Sequence, residues 1–137
     1  MKVFAVLDTN VIVSALISRN SDAATVKVFQ HLLKKDLTAL YNDDILKEYH
    51  DVLLRPKFRI DKELILDLYE FIKQEGVSSK RIHSDESFPD PKDIVFYEVA
   101  LSKENAFLVT GNIKHFPKKP IVVTPAEMLE ILQSQEK

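Results

Sequence analysis

The sequence predicts a three-layer α/β/α sandwich around a mostly parallel sheet of four to five strands. Short β-type apolar runs alternate with segments of helical periodicity along the 137 residues. Apolar residues make up 45% of the chain, enough for one domain over residues 1–137 with its core at about 3–132. Strands that alternate with helices pair in parallel through right-handed crossovers, so helices are expected on both faces of the sheet.

The N-terminal part begins with a predicted strand, VFAVL (Val3–Leu7), and a short helix over Val11–Ile17. Ser21 and Asp22 are predicted to cap a second helix, since short polar side chains accept hydrogen bonds from the first helical amides. The run LTALY (Leu37–Tyr41) is the second predicted strand. Two strands of the predicted sheet, separated by helical segments, therefore lie before residue 42.

Two longer helices follow the second strand. The first is predicted to begin at Asn42–Asp43 and to end near Arg55–Pro56, where proline disfavours helical backbone. The next is predicted to begin at Asp61 and to carry the apolar residues Leu64, Ile65, Leu68 and Ile72. Gly76 stands where a left-handed C-terminal cap is expected.

The middle of the chain is polar. A weak edge strand is expected at Val77–Ser79 or at Arg81–Ile82, and the segment HSDESFPDPKD is predicted to be a surface loop. Asp90–Pro91 begins a helix that is expected to run to about Lys103, because proline favours the first helical position.

The C-terminal part contains two further predicted strands, AFLVT (Ala106–Thr110) and PIVVT (Pro120–Thr124), joined by the loop GNIKHFPKK. Thr124 and Glu127 have the spacing of a capping box for the last helix. Ser134–Lys137 is expected to be a frayed tail.

Composition excludes several function classes. The net charge of −2 means that any nucleic-acid contact must come from a local patch. The absence of cysteine excludes disulfides and thiolate metal sites and fits the reducing cytoplasm, where we expect the protein to act. Only two glycines occur, which excludes a glycine-rich phosphate loop. No apolar run is long enough to cross a membrane, and strand-like sequence from Val3 leaves no signal-peptide layout.

Acidic and amide side chains are placed where ligands bind in open parallel sheets, beyond the carboxyl ends of the strands. Several carboxylates without cysteine or paired histidines favour Mg²⁺ or Mn²⁺, which prefer oxygen ligands and serve phosphate chemistry. Convergence of three chain segments on one edge of the sheet is expected. The residues concerned are Asp8, Asp44, Glu48, Asp51, Asp90, Asp93 and Asn112.

Each acid also has a structural explanation. Asp8 can cap the helix that follows it, and Asp93 lies in a first helical turn, where an acid is favoured by the helix dipole. Glu48 lies beside an apolar stripe and fits a solvated acidic face. Basic residues that can contact phosphate, or can simply be solvated, are Arg55, Lys57, Lys114 and His115.

Four motifs in order, LDTNVIVSAL, ILKEYHDVLLRPKF, DPKDIVFYEVAL and LVTGNIKHF, resemble the PIN-domain family. The likeness is closer to its bacterial and archaeal branch of toxins from toxin–antitoxin systems, the VapC-like ribonucleases. It extends from about Val3 to Leu132. The resemblance implies a PIN-like sandwich and a Mg²⁺- or Mn²⁺-dependent endoribonuclease whose products carry a 5′-phosphate and a 3′-hydroxyl.

Residue by residue, the resemblance implies that Asp8, Glu48 and Asp93 are catalytic and bind the metal. Asn112 occupies the position of a further catalytic acid in many members, and its amide brings no charge, so a second ion would bind more weakly. The residues expected to support these four are Thr9, Asn10, Asp90 and Thr110.

The implied partners are an RNA substrate, a cognate antitoxin protein and further copies of the chain, as a homodimer or higher oligomer. One alternative is a catalytically weak or inactive PIN-like module that binds RNA or protein, which the amide at position 112 would explain. A phosphoacceptor signalling domain is disfavoured because the paired acid and the aspartate after a middle strand are missing. A phosphohydrolase with an Asp-x-Asp nucleophile is disfavoured by Asn10.

Overall fold

The structure is a computed structural model that describes residues 2–135. Its sheet has five strands, all parallel, in the order β3-β2-β1-β4-β5. The predicted α/β class and parallel sheet are confirmed. The strands are β1 (Val3–Leu7), β2 (Leu37–Tyr41), β3 (Val77–Ser78), β4 (Phe107–Val109) and β5 (Val122–Val123).

Two groups of helices flank the sheet. The helices are α1 (Thr9–Ile17), α2 (Ala24–Leu33), α3 (Asp43–Leu53), α4 (Lys62–Glu75), α5 (Ile94–Ala100) and α6 (Pro125–Gln135). Helix α2 packs against α1 and α6, whereas α3 packs against α4 and α5. Within residues 2–135, no helix has the length and apolar character needed to cross a membrane.

The strand order reverses direction at the centre of the sheet. From β1 the chain moves outward through β2 to β3, then returns to the other side of β1 to form β4 and β5. Ala5 of β1 therefore pairs with Ala39 on one side and with Phe107 on the other. A crevice opens at such a reversal, beyond the carboxyl ends of β1 and β4, which places the candidate site there.

Local sequence signals explain several helix starts. The Asn42 side chain accepts a 2.9 Å hydrogen bond from the Ile45 amide, which caps α3. Thr124 and Glu127 form the reciprocal capping box of α6, with distances of 2.9 and 3.1 Å. The capping box is thus confirmed, and it fixes the direction in which the last helix leaves β5.

Helices α2 and α4 differ in detail from the predictions. Ala23, and not Ser21 or Asp22, is the N-cap of α2, and no side chain caps it. In α4 the predicted apolar residues Ile65, Leu68 and Ile72 are buried, whereas Leu64 is 45% exposed.

Gly76 ends α4 without a left-handed conformation, so that prediction is wrong. Its φ of −86° and ψ of −178° are extended. The residue is restricted by close approach instead, since a Cβ there would lie 2.5 Å from the Ile72 oxygen and 2.7 Å from the Ala39 oxygen. Glycine lets α4 run directly into β3 against the neighbouring strand.

Three further boundaries differ. The predicted helix from Asp90 is a 3₁₀ turn over Pro91–Asp93 followed by α5, which ends at Ala100 and not near Lys103. The edge strand is β3, whereas Arg81–Ile82 forms no strand. Helix α6 includes Ser134 and Gln135, which were expected in a frayed tail, and the rest of that predicted tail lies outside the described residues.

Candidate active site

A polar cleft lies beyond the carboxyl ends of β1 and β4, at the reversal of strand order. Residues from four segments of the chain line it: the start of α1, the face of α3, the turn before α5, and the loop after β4. The acidic and amide residues predicted for the site that line this cleft are Asp8, Asn10, Glu48, Asp90, Asp93 and Asn112.

Asp8 stands at the end of β1 and is 5% exposed. Its amide donates to the Val109 carbonyl at 2.9 Å, which continues the pairing of β1 with β4. Asp8 is the N-cap residue of α1, yet its side chain makes no capping hydrogen bond. Instead, the Thr110 hydroxyl donates to Asp8 Oδ2 at 2.8 Å. The carboxylate is thus turned toward the strand junction and does not serve the helix as a cap.

Burial raises the pKa of Asp8 above its ordinary value. The hydrogen bond from Thr110, the Thr9 amide and the nearby His115 partly oppose this increase, whereas Glu48 adds to it. Asp8 and Glu48 are therefore close enough for their negative charges to repel each other. A buried carboxylate in this state would be stabilised by a cation.

Asp93 ends the 3₁₀ turn and begins α5, again without a capping hydrogen bond from its side chain. His115 Nδ1 lies 3.5 Å from Asp93 Oδ2. The pKa of Asp93 is raised to about 6, because of burial and of repulsion by Asp8 and Asp90. Asp90 itself caps the turn by accepting a 3.0 Å hydrogen bond from the Lys92 amide.

Glu48 is the half-buried acid that α3 directs to the cleft. The neighbouring Tyr49 is buried, and its hydroxyl donates to the Leu7 carbonyl at the end of β1. This bond attaches the middle of α3 next to Asp8. Asp44 and Asp51 are exposed and do not line the cleft. Of these three acids on α3, Glu48 alone faces the cleft.

Thr110 and Asn112 connect β4 to the cleft. The main-chain amide of Asn112 donates to Thr110 Oγ1 at 3.0 Å, and the Thr110 hydroxyl in turn donates to Asp8. The Asn112 side chain is exposed at the start of a 3₁₀ turn and does not cap it. Thr9 also lines the cleft, and its buried hydroxyl has no hydrogen-bond partner within residues 2–135.

Basic side chains line one part of the cleft. Arg55, predicted as a phosphate contact, lies there with His115, and Lys92 joins them. Lys57 and Lys114, which were also predicted to contact substrate, are not among the lining residues. The ammonium of Lys57 instead lies 5.0 Å from the centre of the Phe58 ring. The cleft therefore places acids and bases side by side.

Glu98 was missed by the sequence analysis. It is 5% exposed on α5 and accepts hydrogen bonds from Arg81 and from the Ser84 amide. One signal was available, since Glu98 is the single charged residue in the otherwise apolar helix IVFYEVA. A buried charge of this kind needs partners, which points to a structural or functional role.

A family model described as PIN domain matches residues 5–114. The match covers most of the chain, and the chain belongs to this family. A search of curated proteins found no match. PIN domains are generally nucleases and usually use divalent metal ions. The cleft residues lie within or next to the matched range.

The cleft residues suit a divalent ion in their chemistry. Asp8, Glu48 and Asp93 offer only oxygen ligands, and burial, with repulsion from neighbouring acids, raises the pKa values of Asp8 and Asp93. Across residues 2–135, however, no three acidic, histidine or cysteine side chains stand close enough together to hold an ion. The donors fit Mg²⁺ or Mn²⁺ in kind, and binding would require the side chains to draw together.

Proposed function

We propose that this chain is a Mg²⁺- or Mn²⁺-dependent endoribonuclease that hydrolyses RNA phosphodiester bonds. The observation that carries the proposal is the convergence of Asp8, Glu48 and Asp93 on one cleft of a PIN domain. These acids come from the end of a strand, the face of a helix and a turn that are far apart in sequence. The reversal of strand order places them together.

Asp8, Glu48 and Asp93 would hold the ion. When bound, it would lower the pKa of a water and offset charge on the phosphate. The hydrogen bond from Thr110 orients Asp8, and the contact of His115 with Asp93 orients the second acid. These two polar contacts fix side chains that would otherwise repel each other.

The basic residues supply the substrate contacts in this proposal. Arg55 and Lys92 line the cleft beside the acids, where their charges would attract the RNA backbone. Attack by water forms a bond to phosphorus, and the bond from phosphorus to the 3′-oxygen breaks. The 3′-oxygen leaves with a proton, so the products carry a 5′-phosphate and a 3′-hydroxyl.

A second candidate function is an inactive PIN-like module that binds RNA or protein. Asn112 favours it, since this exposed amide lines the cleft where a further carboxylate would strengthen metal binding. In that case the basic residues would bind RNA without cleavage.

The biological role extends this proposal. The four motifs that resemble VapC-like toxins support the role of a toxin that acts on RNA in the cytoplasm. By the same resemblance, its partners would be an antitoxin protein and a second copy of the chain. These partners are inferred from the motifs and not from a surface of the structure.

Cleavage of a mixed pool of structured and single-stranded RNA tests the proposal. The protein is incubated with Mn²⁺, with Mg²⁺ or with EDTA, beside an Asp8→Asn variant. We expect cleavage that needs the metal and is lost in the variant, with 5′-phosphate ends on the fragments. Intact RNA that is nevertheless bound by the wild-type protein would favour the inactive module.

A further inference from the structure

Residues 79–90, here called the strap, connect β3 to the turn that carries Asp93. The strap contains no helix or strand, yet it is attached to the body of the protein along its length. Near its start, the Ile82 amide donates to the Glu98 main-chain oxygen at 3.0 Å. Near its end, the Phe88 ring lies 5.6 Å from that of Tyr97 and 6.1 Å from that of Phe116.

The strongest attachment is the carboxylate of Glu98. Arg81 donates to it through Nε at 2.9 Å and approaches through Nη2 at 2.7 Å, which is a two-point contact. The Ser84 amide donates to the other oxygen of Glu98 at 2.7 Å. Burial alone would raise the pKa of Glu98, but the bonds from Ser84 and Arg81 outweigh it and hold this pKa below its ordinary value.

Arg81 also lies close to α3, the helix that carries Glu48. Its Nη1 atom lies 3.9 Å from Asp44 Oδ2 on α3. Asp44 is four residues before Glu48 and therefore lies one turn away on the same side of α3. Glu98 is five residues after Asp93 at the other end of α5. Arg81 thus bridges α3, which carries Glu48, and α5, which begins at Asp93.

We propose that Glu98 is a positioning residue for the cleft. Through Arg81 and Ser84 it fixes the strap and the separation of α3 from α5, so that Glu48 and Asp93 can serve the same divalent ion. This inference rests on the proposed function, because it assumes that these two acids act together. Glu98 is not among the residues that line the cleft, so it would act only through its neighbours.

The test compares Glu98→Gln and Arg81→Lys with the wild-type protein. Glu86→Gln is the matched control, since Glu86 lies in the same strap and pairs with Lys119 at 3.2 Å on the surface. Mn²⁺ binding is measured by calorimetry without RNA, kcat and KM are measured for RNA cleavage, and amide hydrogen exchange is followed over residues 89–94.

We expect Glu98→Gln to weaken Mn²⁺ binding and to lower kcat by about tenfold or more, the usual effect of losing a residue that orients metal ligands. KM for RNA should stay unchanged, and exchange over residues 89–94 should become faster. Arg81→Lys should change the same quantities in the same direction, because lysine keeps the charge and loses the two-point contact. Glu86→Gln should match the wild type.

A merely structural role predicts a different pattern. Folded Glu98→Gln protein with lower thermal stability, but with wild-type Mn²⁺ affinity and kcat, would overturn the inference. If Glu98→Gln does not fold, Arg81→Lys decides by the same criteria. A wild-type protein that binds Mn²⁺ and leaves RNA intact would refute the nuclease and not the positioning role, whereas a wild-type protein that binds no Mn²⁺ would overturn both.

Discussion

Asp8 and Thr110 form the best-defined contact of the cleft at the scale of single residues. A buried carboxylate next to other acids is costly unless it is hydrogen-bonded. The Thr110 hydroxyl meets this requirement by donating to Asp8, and it also accepts a hydrogen bond from the main-chain amide of Asn112. It thereby links the end of β1 to the loop that follows β4. Burial, with repulsion from Asp8 and Asp90, raises the pKa of Asp93, and this gives a prediction about stability.

The contribution of Asp93 to the stability of the metal-free protein should become less favourable as the pH rises from about 4 to about 6. Asp93 has an ordinary pKa of 3.8 and a pKa of about 6 in the folded protein, so the folded state binds this proton more tightly than the unfolded state. Asp93→Asn removes the charge. In EDTA at pH 7.5 the variant should be more stable than the wild type by about 1 kcal/mol. This gain is smaller than the full pKa shift implies, because solvent near the cleft screens part of the effect.

Urea denaturation at pH 4 and pH 7.5 provides the measurement for Asp93→Asn. The difference from the wild type should nearly disappear at pH 4, because Asp93 is then more fully protonated in both the folded and the unfolded wild-type protein. Adding Mn²⁺ should stabilise the wild type more than the variant. An Asp93→Asn protein that is less stable than the wild type at pH 7.5 in EDTA would contradict this view of the cleft.

Asn112→Asp should increase metal binding. It would add a fourth carboxylate to the three proposed metal ligands, and we expect the Mn²⁺ concentration at half-maximal binding to fall roughly tenfold, equivalent to about 1.4 kcal/mol. Calorimetry without RNA measures this change. Asn20→Asp, in an exposed loop, is the matched control and should leave the binding unaltered. An unchanged affinity in Asn112→Asp would place residue 112 outside the metal site.

Sequence reasoning located residues of the cleft where their position follows from a strand or helix end. Asp8 and Asp93 were found because such ends meet at one edge of a parallel sheet. The contacts that hold the acids were missed, since they join distant parts of the chain. Two examples are the bond from the Tyr49 hydroxyl to the Leu7 carbonyl and the bonds that the Glu98 carboxylate accepts.

At the scale of elements, Gly76 shows how a helix end can depend on packing. Gly76→Ala should destabilise the protein by about 2–3 kcal/mol, because the new Cβ meets main-chain oxygens of Ile72 and Ala39 at 2.5 and 2.7 Å. Gly111→Ala is the matched control, since nothing lies within 4 Å of a Cβ there. Urea denaturation should therefore separate the two variants clearly, and equal stabilities would refute the packing explanation.

Some features fixed by neighbouring residues were predicted correctly, whereas several that depend on tertiary contacts were not. The capping box of Thr124 and Glu127 is local and was recognised from four residues. The end of α5 at Ala100 and the exposure of Leu64 on α4 depend on packing against other elements. Helical spacing alone does not contain that information.

At the scale of the whole molecule, alternation of strands and helices was enough to predict a parallel sandwich. It did not determine the order of the strands, which depends on long-range pairing of β1 with β4. That pairing creates the cleft. The convergence of acids could therefore be expected as a rule of the fold class, while the particular contacts required the structure.

The overall charge of the molecule predicts a weak dependence of RNA binding on salt. With a net charge of −2, Arg55 and Lys92, which line the cleft, would supply the main phosphate contacts of the proposed RNA substrate. For single-stranded RNA, two such contacts give a slope of about −1.4 for log affinity against log salt. Arg55→Gln should reduce its magnitude by about 0.7, measured by fluorescence anisotropy in EDTA. Lys34→Gln, at the remote end of α2, should not alter the slope, and an equal change in both variants would refute a local patch.

The most direct test of the proposed nuclease site is the single-turnover rate of RNA cleavage in Mn²⁺ for Glu48→Gln and Asp51→Asn. Both variants neutralise an acid on α3, but only Glu48 lines the cleft. We predict that Glu48→Gln lowers the rate by about 100-fold or more, in the range for loss of a group acting at the reacting centre, and that Asp51→Asn cleaves like the wild type. Wild-type cleavage by Glu48→Gln would contradict the proposed site.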